Sequence, residues 1–236
     1  GLLQYHSLLH LFPDANRTFE DVWDLTMLDE SIYFYASNKL YKFHDQQISV
    51  EYEKPGLRFL AEAGGKLFLQ SDEDLMVKQG DSFQPLGILE EKKKDIVFTS
   101  VLSLANGSTL FTTLKDGLYS QERGQLKPWP LPSFDRFLKQ NRIYCATKDR
   151  NGKIILGTST AGVLVLSEDF RLKTHINRNN GLQKNNVLSL LTDHKGNLWI
   201  GLDNGIDYAE INGDYTQIIP DQPLEGTAYT FIEHDG

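Results

Sequence analysis

The chain writes the same hairpin again and again, and few folds accommodate that. Its clearest copy is residues 193–211, "DHKGNLWIGLDNGIDYAEI". Residues 193–196 form a turn signal, and residues 197–202 alternate like a strand. Asp203-Asn204-Gly205 turns again, and residues 206–211 make another strand. Laid along the chain, this ruler finds "RNG-KIILGTSTAGV" with its glycine at Gly152 and "ANG-STLFTTLKDGL" at Gly107. "AGG-KLFLQSDEDL" follows at Gly65, "DES-IYFYASNKL" puts Ser31 at the same place, and the final "EHDG" puts Gly236 there. The spacings from Ser31 to Gly236 are 34, 42, 45, 44 and 40 residues.

Each unit reads as four short strands. An alternating first strand ("VWDLTML", "RFLAEA", "VFTSVLSL", "IYCATKD", "VLSLLTD") leads into the turn and a second strand such as "KIILGT" or "NLWIGL". A polar turn then gives a third strand ("KLYKFH", "DLMVKQ", "GLYSQE", "GVLVLS", "GIDYAE") and a weak fourth ("ISVEYE", "FQPLGIL", "LKPWPL", "RLKTHI", "TQIIP"). Four short antiparallel strands at this period are the signature of propeller blades. The weak fourth strand suits an outer edge that must resist pairing with other chains, and Pro128, Pro130 and Pro220 blunt it. "SFDRFLKQ" has room for one or two turns of helix.

The expected fold is therefore all-β, a β-propeller of four-stranded antiparallel blades, about five full with partial blades at both ends. The units run approximately 1–18 (partial), 19–55, 56–94, 95–140, 141–184, 185–226 and 227–236 (partial). "LLQYHS" and "LLHLFPD" read as third and fourth strands without a first and second, and "YTFIEHDG" as a first strand and turn. Either these fragments complete one sixth blade, or the sequence belongs to a longer propeller. The second account is preferred, because a chain stopping inside a hairpin leaves strand edges unpaired.

Composition narrows the function. A net charge of -8 and a pI near 5.2 argue against a broad nucleic-acid footprint. Lys92-Lys93-Lys94 follows Glu90-Glu91 and reads as a mixed-charge loop. Cys145 is the one cysteine, so no internal disulfide forms, and its apolar setting in "RIYCAT" reads as a small buried hydrophobe. No apolar run reaches the roughly 18 to 20 residues that span a bilayer. The histidines at 6, 10, 44, 175, 194 and 234 lack metal-ligand spacing, so neither a zinc site nor a cofactor is expected. No Walker loop, dinucleotide fingerprint or nucleophile elbow occurs.

Among propeller types, the Gly-His and Trp-Asp pair of WD40 blades is missing, and the kelch double glycine occurs only as Gly64-Gly65. "TDHKGNLW" places its aspartate three residues before the glycine, where an Asp-box wants two. "NGLQKNNVLSLLTDHKGNLWIGLDNGI", residues 180–206, closely resembles the two-component regulator propeller repeat. The unit at 141–163 is similar, with Ile155-Leu156-Gly157 standing where Trp199-Ile200-Gly201 stand. The three N-terminal units match loosely, lacking that tryptophan and glycine. "VWDLTMLDESIYFYASNKLYKF" is similar to first-propeller units of regulators that end in a helix-turn-helix domain.

The resemblance implies the periplasmic, extracytoplasmic part of a membrane-spanning regulator, a hybrid two-component system or helix-turn-helix regulator of Bacteroidetes. It implies neighbouring propeller and β-sandwich domains, a homodimer of the parent, and an oligosaccharide ligand from glycan breakdown. It implies no nucleic-acid contact and no enzymatic role for this segment. The alternatives are a protein-interaction scaffold, which would show no response to small ligands, and a propeller glycosidase or lyase. The enzyme would need acids such as Asp21 and Asp95 to converge on one mouth.

The polar residues just before each first strand surround one mouth of a propeller channel. Asp21, Arg58, Asp95, Asn141, Arg142, Asn185 and Asn186 are therefore the ligand-binding candidates, their amides, carboxylates and guanidinium groups suiting sugar hydroxyls. The competing reading is that Asn and Asp simply cap turns there. Gly65, Gly107, Gly152, Gly196, Trp199, Gly201 and Gly205 carry the structural motif. Trp199 is expected to pack between blades, and Trp129, between two prolines, to lie on an exposed contact surface.

Overall fold

A computed structural model describes residues 7–12, 21–88, 95–122 and 124–210, with the backbone of 215–216. The fragments expected to form partial blades, Gly236 and the lysine run at 92–94 fall wholly or largely outside those residues. The fold is a β-propeller with five blades of four antiparallel strands, and one sheet gains a fifth short strand, Gly87–Ile88. Two compact units divide it, residues 1–87 with two blades and residues 88–236 with three.

In the first unit, one blade runs through Val22–Leu28, Ser31–Ala36, Lys39–His44 and Gln47–Glu53. The next uses Phe59–Ala63, Lys66–Gln70, Leu75–Gln79 and Ser82–Pro85. Tyr33, Tyr35 and Leu40 of the first blade pack against Leu60, Leu67, Leu69 and Met76 of the second. The first blade's other face is closed over its outer strands by Phe12, whose ring sits 5.3 Å from Tyr41 and edge-on to it. "LLHLFPD" was expected to be a strand. Leu9–Leu11 instead makes a single 3-10 turn, which lets Phe12 dock.

In the second unit, the third blade is Phe98–Ser103, Thr109–Thr113, Leu118–Glu122 and Gln125–Pro128. The helix Asp135–Asn141 leads to the fourth, Ile143–Lys148, Ile154–Thr158, Gly162–Leu166 and Leu172–Ile176. The fifth is Val187–Thr192, Leu198–Leu202, Gly205–Ala209 and the backbone of Tyr215–Thr216. The fourth blade lies between two others, which explains why "IILGT" is apolar without alternation. Ile154 and Leu156 face Leu104, Leu110 and Leu118 of the third blade, while Ile155 faces Val187, Leu198 and Ile200 of the fifth. Every residue of Ile154–Thr158 is buried. The fourth strand Leu172–Ile176 is mostly exposed, as an outer edge should be.

A feature of the first strands was not read from the sequence. Four of them carry a register shift at the same place, between Val22 and Asp24, Phe98 and Ser100, Ile143 and Cys145, and Val187 and Ser189. A bulge re-aims the residue that follows it. Asp24, Ser100, Cys145 and Ser189 are thus equivalent. Asp24 Oδ2 accepts the Leu60 N–H at 3.2 Å, and Ser100 Oγ accepts the Ala146 N–H at 2.8 Å, each joining one first strand to the next. Cys145 packs into the core between the fourth and fifth blades, and burial pushes its thiol up.

Candidate functional site

Within each unit, the residues that lead into a first strand lie beside a turn between second and third strands. Backbone bonds zip them together. The Arg58 N–H donates to Gln70 O at 3.0 Å, and the Leu114 N–H to Val97 O at 2.8 Å. The Ser159 N–H reaches both Asn141 O (3.1 Å) and Arg142 O (3.0 Å), and the Gly162 N–H donates to Asn185 O at 2.9 Å. The entry segments and these turns therefore build one loop end of each unit. Arg58 shares it with Asp21 in the first unit, and Asp95, Asn141, Arg142, Asn185 and Asn186 occupy it in the second.

The candidates divide by what their side chains already do. Arg58 Nη1 is 3.3 Å from Asp72 Oδ1, and its Nε is buried without an acceptor. Asn141 donates to Phe137 O at 2.9 Å and accepts the Thr160 hydroxyl at 2.8 Å. Asn185 Oδ1 accepts the Arg178 N–H at 2.7 Å. These three serve turns and ion pairs. Asp21, Asp95 and Arg142 are exposed and Asn186 half-buried, and their side chains have no hydrogen bond or ion pair among the described residues. Arg142 holds a left-handed φ of 57° after the helix, its N–H donating to Leu138 O at 2.9 Å. That conformation is uncommon for a residue with a side chain of its size. Arg142 and Asn186 thus stand as free polar groups at the entries of adjacent blades.

Sequence reasoning passed over the turns that complete this end. The Thr113 hydroxyl donates to Gly117 O and the Thr158 hydroxyl to Gly162 O, both at 2.8 Å. Each oxygen also accepts an N–H, from Asp116 and Ala161, at 2.9 Å. The signal was present as Thr followed four residues later by Gly, in "TLKDG" and "TSTAG".

Four of the motif glycines, Gly65, Gly107, Gly152 and Gly196, lie at the opposite turns, between first and second strands. Their φ values run from 71° to 81°, the left-handed region that glycine enters freely. Asp193 Oδ1 accepts the N–H groups of Lys195 and Asn197, each at 2.9 Å, and Oδ2 accepts the Trp199 indole N–H at 3.1 Å. Burial pushes the Asp193 carboxyl up, but the donors from Asn197, Trp199 and Lys195 outweigh it and hold it below the usual range. Trp199 meets Tyr208 edge-on at 4.9 Å. Both contacts lie inside its own blade. Gly201 is buried and Gly205 turns with φ 122°. Trp129 is half-buried against the core between the third and fourth blades, and Trp23 is 65% exposed.

Among the described residues, no group of three His, Cys, Asp or Glu side chains is placed to hold a metal ion, and no helix is long and apolar enough to cross a membrane.

Residues 181–204 match the model of the two component regulator propeller family. No curated protein matches the chain by sequence. Among solved structures, the chain is similar to the extracellular domain of a protein described as a hybrid two component system from B. thetaiotaomicron. The TM-score is 0.64 at 18% identity, covering 84% of this chain and 30% of that one. An extracellular domain described as a one component system from the same organism gives 0.65 at 17%, covering 82% and 28%. Virginiamycin B lyase from Staphylococcus aureus gives 0.66 at 12%, covering 86% and 71%. The chain therefore spans under a third of the length of the two sensor structures. At these identities the structural likeness speaks to the fold alone: a five-bladed β-propeller in which residues 181–204 match the two component regulator propeller model.

Proposed function

We propose that the chain is a ligand-sensing propeller from the extracytoplasmic part of a membrane-spanning regulator, with oligosaccharides from glycan breakdown as its ligands. The regulator-propeller repeat at residues 181–204 carries this reading. The similarity in fold to extracellular domains of one- and two-component systems supports it. The loop end offers suitable chemistry, since Arg142 and Asn186 present donors and an amide acceptor that no other described residue uses. A ligand there signals by binding one arrangement of adjacent domains better than another. The segment itself is read as non-enzymatic, and any kinase activity belongs to other parts of the parent.

The likeness to virginiamycin B lyase keeps an enzyme as the rival reading. Calorimetric titration with defined oligosaccharides, followed by recovery of the sugar, separates the two. A sugar that binds, returns intact and loses affinity in Arg142→Ala and Asn186→Ala supports the sensor. A sugar that is cleaved supports the enzyme, and binding untouched by either variant removes the loop end as its site.

A further inference from the structure

A second site lies away from the loop end, in a cleft of ≈ 290 Å³ between the third and fourth blades. Trp129 forms one wall. It is fixed between Pro128 and Pro130, and its backbone N–H donates to Leu118 O at 2.8 Å. The prolines restrict the backbone on either side of Trp129. Phe170 packs against it in the same wall, its ring centroid 5.2 Å from that of Trp129 with 36° between the planes. Leu104 and Leu131 supply the apolar floor, and Glu168 and Asp169 stand on the rim.

Three observations give the cleft a chemistry. Phe170 is held at φ 60°, a left-handed conformation that is a true outlier for a bulky side chain and that Gly or Asn would adopt at less cost. That residue closes a turn, its N–H donating to Ser167 O at 2.8 Å, and the turn carries the ring that meets Trp129. Asp169 is already engaged, accepting the Ser167 hydroxyl at 2.5 Å and pairing with Arg171 at 2.8 Å. Glu168 has neither a hydrogen bond nor an ion pair among the described residues. The cleft thus combines two aromatic rings, an apolar floor and one unneutralised carboxylate.

We propose that this cleft binds an organic ammonium group. Trp129 and Phe170 both line the cleft, and the faces of such rings carry negative potential that attracts a cation placed over the side they turn to it, with Trp the stronger partner. Glu168 supplies the opposing charge, and the Asp169–Arg171 pair adds none. Anions are repelled by the rim. A neutral sugar would gain from the rings but has no use for an unpaired carboxylate. The volume lies just under the usual range for drug-sized ligands, which suits a single alkylammonium or trimethylammonium head. The proposal is independent of any ligand at Arg142 and Asn186.

The test is a fluorescence titration of the 236-residue chain with choline and with its uncharged carbon isostere, dimethylbutanol. Trp23 and Trp199 lie in other blades, so a response that changes in cleft variants reports Trp129. The expected result is a saturable change with choline, little with the alcohol, and weakening as salt is added. Glu168→Gln, at an exposed position that leaves folding intact, should weaken choline roughly tenfold, the scale of one charged contact. Phe170→Gly should abolish the response while relieving the backbone. Equal binding of the alcohol, choline binding unchanged in Glu168→Gln, or no saturable response up to the solubility limit would each overturn the assignment.

Discussion

The Asp24 carboxylate accepts the backbone N–H of Leu60 at 3.2 Å, tying the first strand of one blade to the first strand of the next. Ser100 does the same for Ala146 at 2.8 Å with a hydroxyl. Both acceptors follow a bulge in the same register, so the tie is a repeated device in which one copy is ionisable.

That copy makes stability depend on pH. Burial raises the Asp24 carboxyl from 3.8 to about 7, and the single bond from Leu60 only partly offsets it. Between those values the native state holds a proton that the unfolded chain has released. Stability from this group is therefore highest below the unfolded value and falls as pH rises through about 7, levelling beyond it. Asp24→Asn keeps the acceptor and stays neutral. It should be more stable than the parent chain at pH 8 by about 2–4 kcal/mol, allowing for partial exposure, and equal to it near pH 4. Urea midpoints measured across that range check this; parallel pH profiles would contradict it.

Ser100→Ala removes the corresponding neutral tie. The Ala146 N–H then lacks its acceptor at a packed blade contact, which should cost about 1–2 kcal/mol. Denaturant midpoints of the variant give the value, and a change near zero would mean that water replaces the hydroxyl.

Gly157 stands where the regulator repeat places its glycine after Ile200, and its φ is not left-handed, so the requirement is steric. A β-carbon there would come within 2.6 Å of Cys145 Sγ and 2.7 Å of Val187 Cγ1. Gly157→Ala should destabilise by about 1–3 kcal/mol through overpacking. Combining it with Cys145→Ala should recover part of the loss, which a thermal melt of the double variant would show.

Asp193 works in the opposite sense to Asp24. Its carboxyl sits below the usual range, so its contribution is present above the unfolded value and is lost as pH falls through the lowered one. Asp193→Ala frees the N–H groups of Lys195 and Asn197 and the Trp199 indole. The expected cost is about 1 kcal/mol at neutral pH, since the turn is open to water. Indole emission from Trp199 should shift with it.

The turn residues and the strand alternation carry long-range information in short stretches, which is why the five blades could be placed from Ser31, Gly65, Gly107, Gly152 and Gly196. The helix Asp135–Asn141 was legible for the same local reason. The bulges were not, because an extra residue in a first strand shifts register without altering composition, and Asp24 reads simply as a polar strand residue. The bond from the Trp199 indole to Asp193 was also not legible, because a motif fixes a residue's position but not its rotamer. At the loop end, sequence identified the entry residues but could not divide Asn141 and Asn185, consumed by turn bonds, from Arg142 and Asn186. That division depends on where residues 159–162 fold back.

The most direct test of the sensor reading is the thermal midpoint of the chain with a panel of defined oligosaccharides, run beside Arg142→Ala and Asn186→Ala. A ligand at about a hundred times its dissociation constant stabilises by roughly 2.7 kcal/mol, enough to raise the midpoint by several degrees. The account predicts that at least one sugar raises it, is recovered uncleaved, and loses much of its effect in both variants. A panel that leaves the midpoint unmoved, or a sugar that is consumed, would contradict it.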